Sequence, residues 1–186
     1  MKKLKIVALS LLLANSFWSC EKDDICAEGT SVTPNVIIEF YDKNNPATLK
    51  SVTNLKVIAD GMSEGIIFNP TATVAEQKYL FNGSKLRLPL KVNDISTVYS
   101  LILNSGAANP ADTNTDKLSF GYNHQDIFVS RACGFKTVFQ LNANNPVLTD
   151  GNTTDGLWIS NAPTTSLQVI QPNIQNENET HIKIYF

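Results

Sequence analysis

The feature that most constrains the fold is a period-two alternation of apolar and polar residues. In KLRLPLK, Leu86, Leu88 and Leu90 alternate with charged residues and with Pro89. This period places successive side chains on opposite faces of a strand, one face buried and the other solvated. Because Pro89 cannot donate a backbone hydrogen bond, the segment is predicted to be an edge strand.

The same alternation recurs along the chain, whereas helical periodicity is almost absent. KLSFGYN directs Leu118, Phe120 and Tyr122 to one face, and the C-terminal HIKIYF is predicted to turn its polar residues outward, including His181. The remaining strand candidates are 36–42, 55–60, 65–68, 97–104, 126–132, 135–141 and 166–170, and the one plausible helical turn is 73–79.

Turn signals separate these strands, and Asn82-Gly83 is predicted to close a tight hairpin between its flanking segments. About ten short strands with such spacing indicate an all-β, antiparallel sandwich or barrel, and an immunoglobulin-like β-sandwich is favoured. We expect one such domain over residues 34–186, with Tyr99, Phe120 and Phe139 in its core.

The N-terminus has the pattern of a secretory signal peptide. Three lysines within the first five residues precede the apolar run 6–14, which is too short to span a bilayer. Residues 1–19 are therefore predicted to be removed.

Cys20 ends the sequence FWSC, which is similar to a bacterial lipobox although Phe17 and Trp18 are unusual there. Acylation of Cys20 would anchor the chain, because two or more acyl chains hold a protein stably on a membrane. A secreted protein with an incidental cysteine is the alternative. Residues 20–33 are then a lipidated tether.

The triplet Lys22, Asp23 and Asp24 resembles the export tag of surface-exposed lipoproteins of Bacteroidota. It favours display on the cell surface over the periplasmic face of the outer membrane. Three charged residues in a solvated tether also occur by chance.

The predicted mature chain is mildly acidic. Without residues 1–19, the 15 Lys and Arg fall to 12 against 17 Asp and Glu, a formal charge of −5. Nucleic-acid binding requires clustered Lys and Arg, so this balance argues against it.

Two further cysteines, Cys26 and Cys133, allow a disulfide in an oxidising compartment. Two free buried thiols are the alternative. Neither cysteine belongs to a C-x-x-C pair, so a zinc site lacks ligands.

Catalytic motifs are not evident. His124 lies in NHQD close to Asp126. Such a pair could serve acid–base chemistry, but a turn with polar side chains is the commoner explanation. No G-x-S-x-G, H-E-x-x-H or phosphate-binding glycine loop occurs in the sequence. We therefore expect no enzyme, and a hydrolase is only the third hypothesis.

Calcium is a weaker candidate ligand. Asp112, Asn114 and Asp116 have D-x-N-x-D spacing, which can place oxygens on one side of a loop. Lys117 stands where an EF-hand requires glycine, and flanking helices are not predicted. No cofactor is otherwise expected.

Trp158, in DGLWIS, is the candidate for stacking on a sugar ring. A single tryptophan at a strand start is more often part of the core, so both interpretations stay open.

The segments VSRACGFKTVF and PNIQNENETHIKIYF, with CEKDDIC and IIEFYD, resemble a family of flavobacterial and related Bacteroidota lipoproteins, the domain of unknown function number 6452. The resemblance implies lipidation at Cys20, a recurring cysteine pair at Cys26 and Cys133, and no catalytic residue. We expect a non-enzymatic, outer-membrane-anchored domain with a binding or envelope-assembly role. A calcium-stabilised or glycan-binding surface module is the alternative; an envelope protein or a glycan is the candidate partner.

Overall fold

The computed structural model describes residues 25–28, 30, 32–150, 158–159 and 166–186. The predicted signal peptide, Cys20 and the triplet 22–24 lie outside the described residues. Their assignments therefore stay predictions.

Short strands dominate the described part of the chain. They are β1 (Val36–Tyr41), β2 (Val52–Ala59), β3 (Leu80–Gly83), β4 (Lys85–Leu88), β5 (Ser96–Leu103), β6 (Asn114–Ser130), β7 (Gly134–Leu141), β8 (Val147–Thr149), β9 (Leu167–Val169), β10 (Asn173–Ile174) and β11 (Ile182–Tyr185). Two short 3₁₀ helices, Ala75–Tyr79 and Pro110–Asp112, lie between strands, the first within the predicted helical turn.

The strands form two sheets. One has the order β4-β1-β11-β9, and the other has the order β10-β7-β6-β5-β2-β3, with β8 also paired to β6. The described strand pairs are antiparallel except β1 and β11, which run parallel with Ile38 opposite Ile182. The predicted all-β sandwich is confirmed.

The core lies between the two sheets. Phe40 from the smaller sheet contacts Trp158 and Phe186, while Tyr99 and Phe120 pack edge-to-face in the larger sheet. Burial of such large apolar side chains is the main stabilising contribution in a domain of this size. The predicted core positions Tyr99, Phe120 and Phe139 are buried, as expected.

The KLRL segment forms β4, at the edge of the smaller sheet. Its leucines are buried, Arg87 is exposed, and Pro89 follows the last strand residue. The prediction of an edge strand from Pro89 is therefore confirmed.

Two local predictions are wrong. Asn82-Gly83 does not close a hairpin, because β3 pairs with β2 whereas β4 pairs with β1. The chain changes sheets at this point, which a turn dipeptide cannot reveal. Segment 65–68 is not a regular strand; it makes single backbone bonds instead, such as Ile66 N to Val57 O at 2.8 Å.

The NHQD segment is also not a turn. His124 and Asp126 lie inside β6, which continues for 17 residues and pairs with β7 as far as Ser130 and Gly134. The polar residues are tolerated there because this half of the strand is exposed to solvent on both faces.

Candidate functional site at the disulfide end

The most distinctive surface lies at the far end of the β6–β7 pair, which we call the hairpin tip (residues 127–136). The strands are joined by a three-residue loop, and Gly134 follows it with φ of +68°. Such a loop requires a left-handed residue at this position, which glycine adopts without a side-chain clash. The Ser130 hydroxyl accepts a hydrogen bond from Cys133 N at 3.0 Å, which orders the loop.

The loop is linked covalently to the segment before β1. Cys26 and Cys133 form a disulfide with a Cα–Cα distance of 4.8 Å. The predicted bridge is thus supported, and the alternative of two free thiols is wrong. A cleft of about 410 Å³ between the linked segments is lined by Ile25, Ala27 and residues 129–133, among others.

Thr33, seven residues after Cys26, contacts β7. Thr137 donates its backbone N–H to Thr33 Oγ1 at 2.9 Å, and its hydroxyl donates to Asp126 Oδ1 at 2.7 Å. These bonds fix the tether segment and both hairpin strands to one another. The hairpin tip therefore lies at the point where the chain enters the domain.

The hairpin tip exposes large apolar side chains. Phe128 and Phe135 lie opposite each other and pack edge-to-face with ring centroids 5.4 Å apart. They nevertheless remain 58% and 68% exposed, and Ile25 beside the loop is 80% exposed. Ile127, on the opposite face of the hairpin, is also exposed. Clustered exposed aromatic residues are uncommon on a freely solvated surface and indicate a contact surface.

The candidate calcium ligands do not share one environment. Asp112 is exposed in a 3₁₀ helix, Asn114 begins β6, and Asp116 is completely buried. Asp116 Oδ2 accepts the backbone N–H groups of Trp158 at 2.9 Å and Ile159 at 2.6 Å. Within the described residues, no group of three or more His, Cys, Asp or Glu side chains could hold a metal.

Asp116 was not predicted to be a buried hydrogen-bond acceptor. Leu118, Phe120 and Tyr122 alternate on the inward face of β6, and the same period places Asp116 inward two residues earlier. Extending the alternation by one step would have identified it. A buried carboxylate requires hydrogen-bond donors, and here the 158–159 backbone provides them.

Trp158 is part of the core. Its side chain is only 9% exposed, and its ring centroid is 5.5 Å from that of Phe186. The indole therefore does not present a face on which a sugar ring could stack.

The prediction that His181 is an exposed bystander is wrong. His181 is fully buried, and its Nδ1 accepts the Ile37 backbone N–H at 2.9 Å. His181 N in turn donates to Ile37 O at 3.0 Å, so His181 extends the β1–β11 pairing to the residue before Ile182, where β11 begins. The alternation places His181 on the outer face, but that face is covered at this point.

The pKa of the His181 imidazole is lowered from its usual value. Burial disfavours the charged form and is the largest cause, while Glu179 and Glu177 oppose it and Lys85 reinforces it. Because Nδ1 is already an acceptor, the neutral ring carries its proton on Nε2. His181 is thus a structural group, bonded to the backbone.

Glu177 holds the segment before β11 against β1. Its Oε1 accepts the backbone N–H and the side-chain amide of Asn35 at 2.9 and 2.7 Å, and Oε2 accepts Arg87 Nε at 3.2 Å. Burial raises the pKa of this carboxyl, but the bonds from Asn35 and the charge of Arg87 outweigh it, so the pKa is lowered.

A second surface feature is a cleft of about 660 Å³ between the β8 and β9 segments. It is lined by residues 145–148 and 167–170, which are mostly apolar or amide-bearing. None of the described residues that line it has a titratable side chain.

Among the described residues there is no helix with the length and hydrophobicity that a membrane crossing requires. Comparison with curated proteins and with solved structures gave no significant match. A family model does match, over residues 54–186, and its description is "Family of unknown function (DUF6452)". Since the match covers most of the chain, from within β2 to the end of β11, this protein belongs to the DUF6452 family.

Proposed function

We propose that this protein is an outer-membrane lipoprotein whose β-sandwich is anchored through acyl groups on Cys20 and has a non-enzymatic binding or envelope-assembly role. The observation that carries the proposal is the Cys26–Cys133 disulfide, six residues after Cys20. Structural disulfides form and persist in oxidising compartments, including the bacterial periplasm. The bond therefore supports export of the segment that directly follows the proposed lipidation site.

The N-terminal sequence supports the same proposal. A basic segment, a short apolar run and a serine directly before Cys20 fit a signal peptide that is cut at a lipidated cysteine. Each buried methylene of an acyl chain contributes about 0.8 kcal/mol, so two or three chains anchor the protein firmly. The resemblance to Bacteroidota lipoproteins agrees with this assignment.

Neither histidine favours a hydrolase. His181 Nδ1 is occupied by a backbone N–H in the interior, and His124 lies on the exposed half of β6. The alternative of a calcium or glycan module also gains no support, since Asp116 binds backbone amides and Trp158 is buried.

The anchor is tested by growing cells with an alkyne-tagged fatty acid and isolating the protein. We expect label on wild type and none on Cys20→Ala. The double variant Cys26→Ser/Cys133→Ser is the matched control: it loses two cysteines but keeps Cys20, so it should be labelled. Equal label on Cys20→Ala, or no label on wild type, would refute lipidation at Cys20.

The location is tested by protease treatment of intact cells, with a periplasmic marker to confirm that the outer membrane is closed. If the triplet 22–24 is an export tag, wild type is cleaved and Lys22→Ala/Asp23→Ala/Asp24→Ala is protected. If both resist until the cells are lysed, the domain faces the periplasm and the surface assignment is wrong.

A further inference from the structure

We infer that the hairpin tip is a membrane-contacting surface, and that the disulfide holds it against the lipid bilayer in which Cys20 is anchored. The inference rests on the proposed anchor at Cys20 and adds a second contact that acylation alone does not require. It assigns a role to the exposed side chains of Phe128, Phe135 and Ile25.

The first argument is distance. Six residues separate Cys20 from Cys26, and a fully extended chain of this length spans at most about 20 Å. Because Cys26 is bonded to Cys133 in the hairpin loop, the loop cannot move farther than this from the membrane surface. Without the bond, the first residue fixed in a sheet would be Val36, 16 residues after Cys20 and up to about 55 Å from it.

The second argument is the chemistry of the tip. Phe128 and Phe135 form an exposed aromatic pair on one face of the hairpin, while Ile127 lies on the other face. Apolar side chains gain free energy when they leave water for the boundary between headgroups and acyl chains. Arg131, exposed in the loop itself, has a charged end suited to lipid phosphates and a methylene stem suited to the same boundary.

The third argument is that the backbone of the tip tolerates this contact. Residues 127, 128 and 130 pair with residues 136, 135 and 134. Only Val129, at a register shift, and the loop residues 131–133 are unpaired, so shallow insertion of the side chains does not bring a long unpaired stretch of backbone into the apolar layer. The polar bonds of Thr137 with Thr33 and Asp126 lie just behind the tip. They mark a natural limit of insertion at the headgroups.

The experiment uses the mature chain, residues 20–186, which contains three cysteines and one tryptophan. Since Cys26 and Cys133 are bonded to each other, the free thiol of Cys20 can be coupled to a maleimide lipid in phosphatidylcholine vesicles. This coupling imposes the anchor whether or not cells acylate Cys20. A failed anchor in the labelling experiment is thereby distinguished from a failed membrane contact.

The probe is Phe135→Trp, and the matched control is Leu148→Trp on β8, where the native side chain is 44% exposed. Leu148 pairs with Ser119 of β6, nine residues from Phe128 and hence about 30 Å away along the strand. Vesicles are prepared with and without bromine on the acyl chains near the headgroup. The buried Trp158 contributes a constant background, which unsubstituted protein measures.

We expect brominated lipid to quench Trp at position 135 several-fold more than Trp at position 148. Equal quenching at the two positions would overturn the inference. Association of two copies through their tips would instead give a concentration-dependent blue shift without bromine quenching, and that result would also overturn it. Phe128→Trp provides a second probe if Phe135→Trp lowers the melting temperature.

Discussion

Strand β6 consists of two halves that pair with different strands and differ in what covers them. Residues 114–121 pair with β5, and residues 122–130 pair with β7. Over residues 116–122 of β6, every second side chain is buried against the smaller sheet. Over residues 123–128, the strand is exposed on both faces, although each of these residues is paired with β7. Backbone pairing alone therefore does not define where the core ends; the opposite sheet does.

The two halves also hold their polar groups differently. In the packed half, Asp116 is completely buried and accepts two backbone N–H groups. In the exposed half, Asp126 accepts a hydrogen bond from the hydroxyl of Thr137. The end of this strand is fixed by a disulfide rather than by packing. A covalent bond can hold a segment that buries little apolar area.

The largest expected difference is between two phenylalanines on the same face of β6. Phe120→Ala in the packed half is expected to lower the free energy of unfolding by about 3–5 kcal/mol, because it leaves a cavity in the core. Phe128→Ala removes only an exposed contact with Phe135 and is expected to cost about 0.5–1 kcal/mol. Urea unfolding followed by circular dichroism measures both; similar losses would contradict the division of β6 into two halves.

The next effect concerns the disulfide, which closes a loop between residues 107 positions apart. Replacement of both cysteines with serine is expected to lower the free energy of unfolding by about 2–4 kcal/mol, mainly because the unfolded chain gains conformational entropy. The same unfolding measurement applies, with reductant added to wild type as a parallel test and to the double variant as a control that should not respond. Unchanged stability of reduced wild type would show that packing, not the bond, holds the hairpin tip.

The sequence predicted the strands well because alternation reports locally which face of a strand is buried. It could not predict which sheet each strand joins. Asn82-Gly83 has the residues of a tight hairpin, yet the flanking strands diverge into different sheets, and only contacts with β1 and β2 decide this. Likewise, nothing local to β1 and β11 indicates that they pair in parallel.

The exposed half of β6 was misinterpreted for a related reason. His124 and Asp126 break the apolar alternation, which usually indicates a turn, whereas here it indicates a strand that extends beyond its covering sheet. The cysteine pair was predicted because cysteines are few and the predicted compartment is oxidising. The exposed aromatic pair of the hairpin tip was not predicted, because the register that brings Phe128 opposite Phe135 is set by the loop and Gly134.

The smallest expected effect is on the pH dependence of the free energy of unfolding. It is tested by comparing the two histidines, one in the interior and one on the exposed half of β6. The folded pKa of His181 lies below its usual value of 6.5, chiefly because of burial. As the pH falls below about 6.5, the unfolded chain takes up a proton at His181 that the folded chain resists, so the free energy of unfolding decreases. This decrease stops once the pH has passed the lower, folded pKa.

His181→Asn keeps an acceptor for the Ile37 N–H but cannot take up a proton. Its free energy of unfolding should therefore fall less steeply than that of wild type between pH 6.5 and the onset of carboxylate titration. His124→Asn, on the exposed half of β6, is the matched control for the replacement of a histidine outside the interior. Urea unfolding at closely spaced pH values provides the comparison. If His181→Asn has the wild-type slope, or if His124→Asn flattens it, then burial of His181 is not what makes this fold sensitive to mild acid.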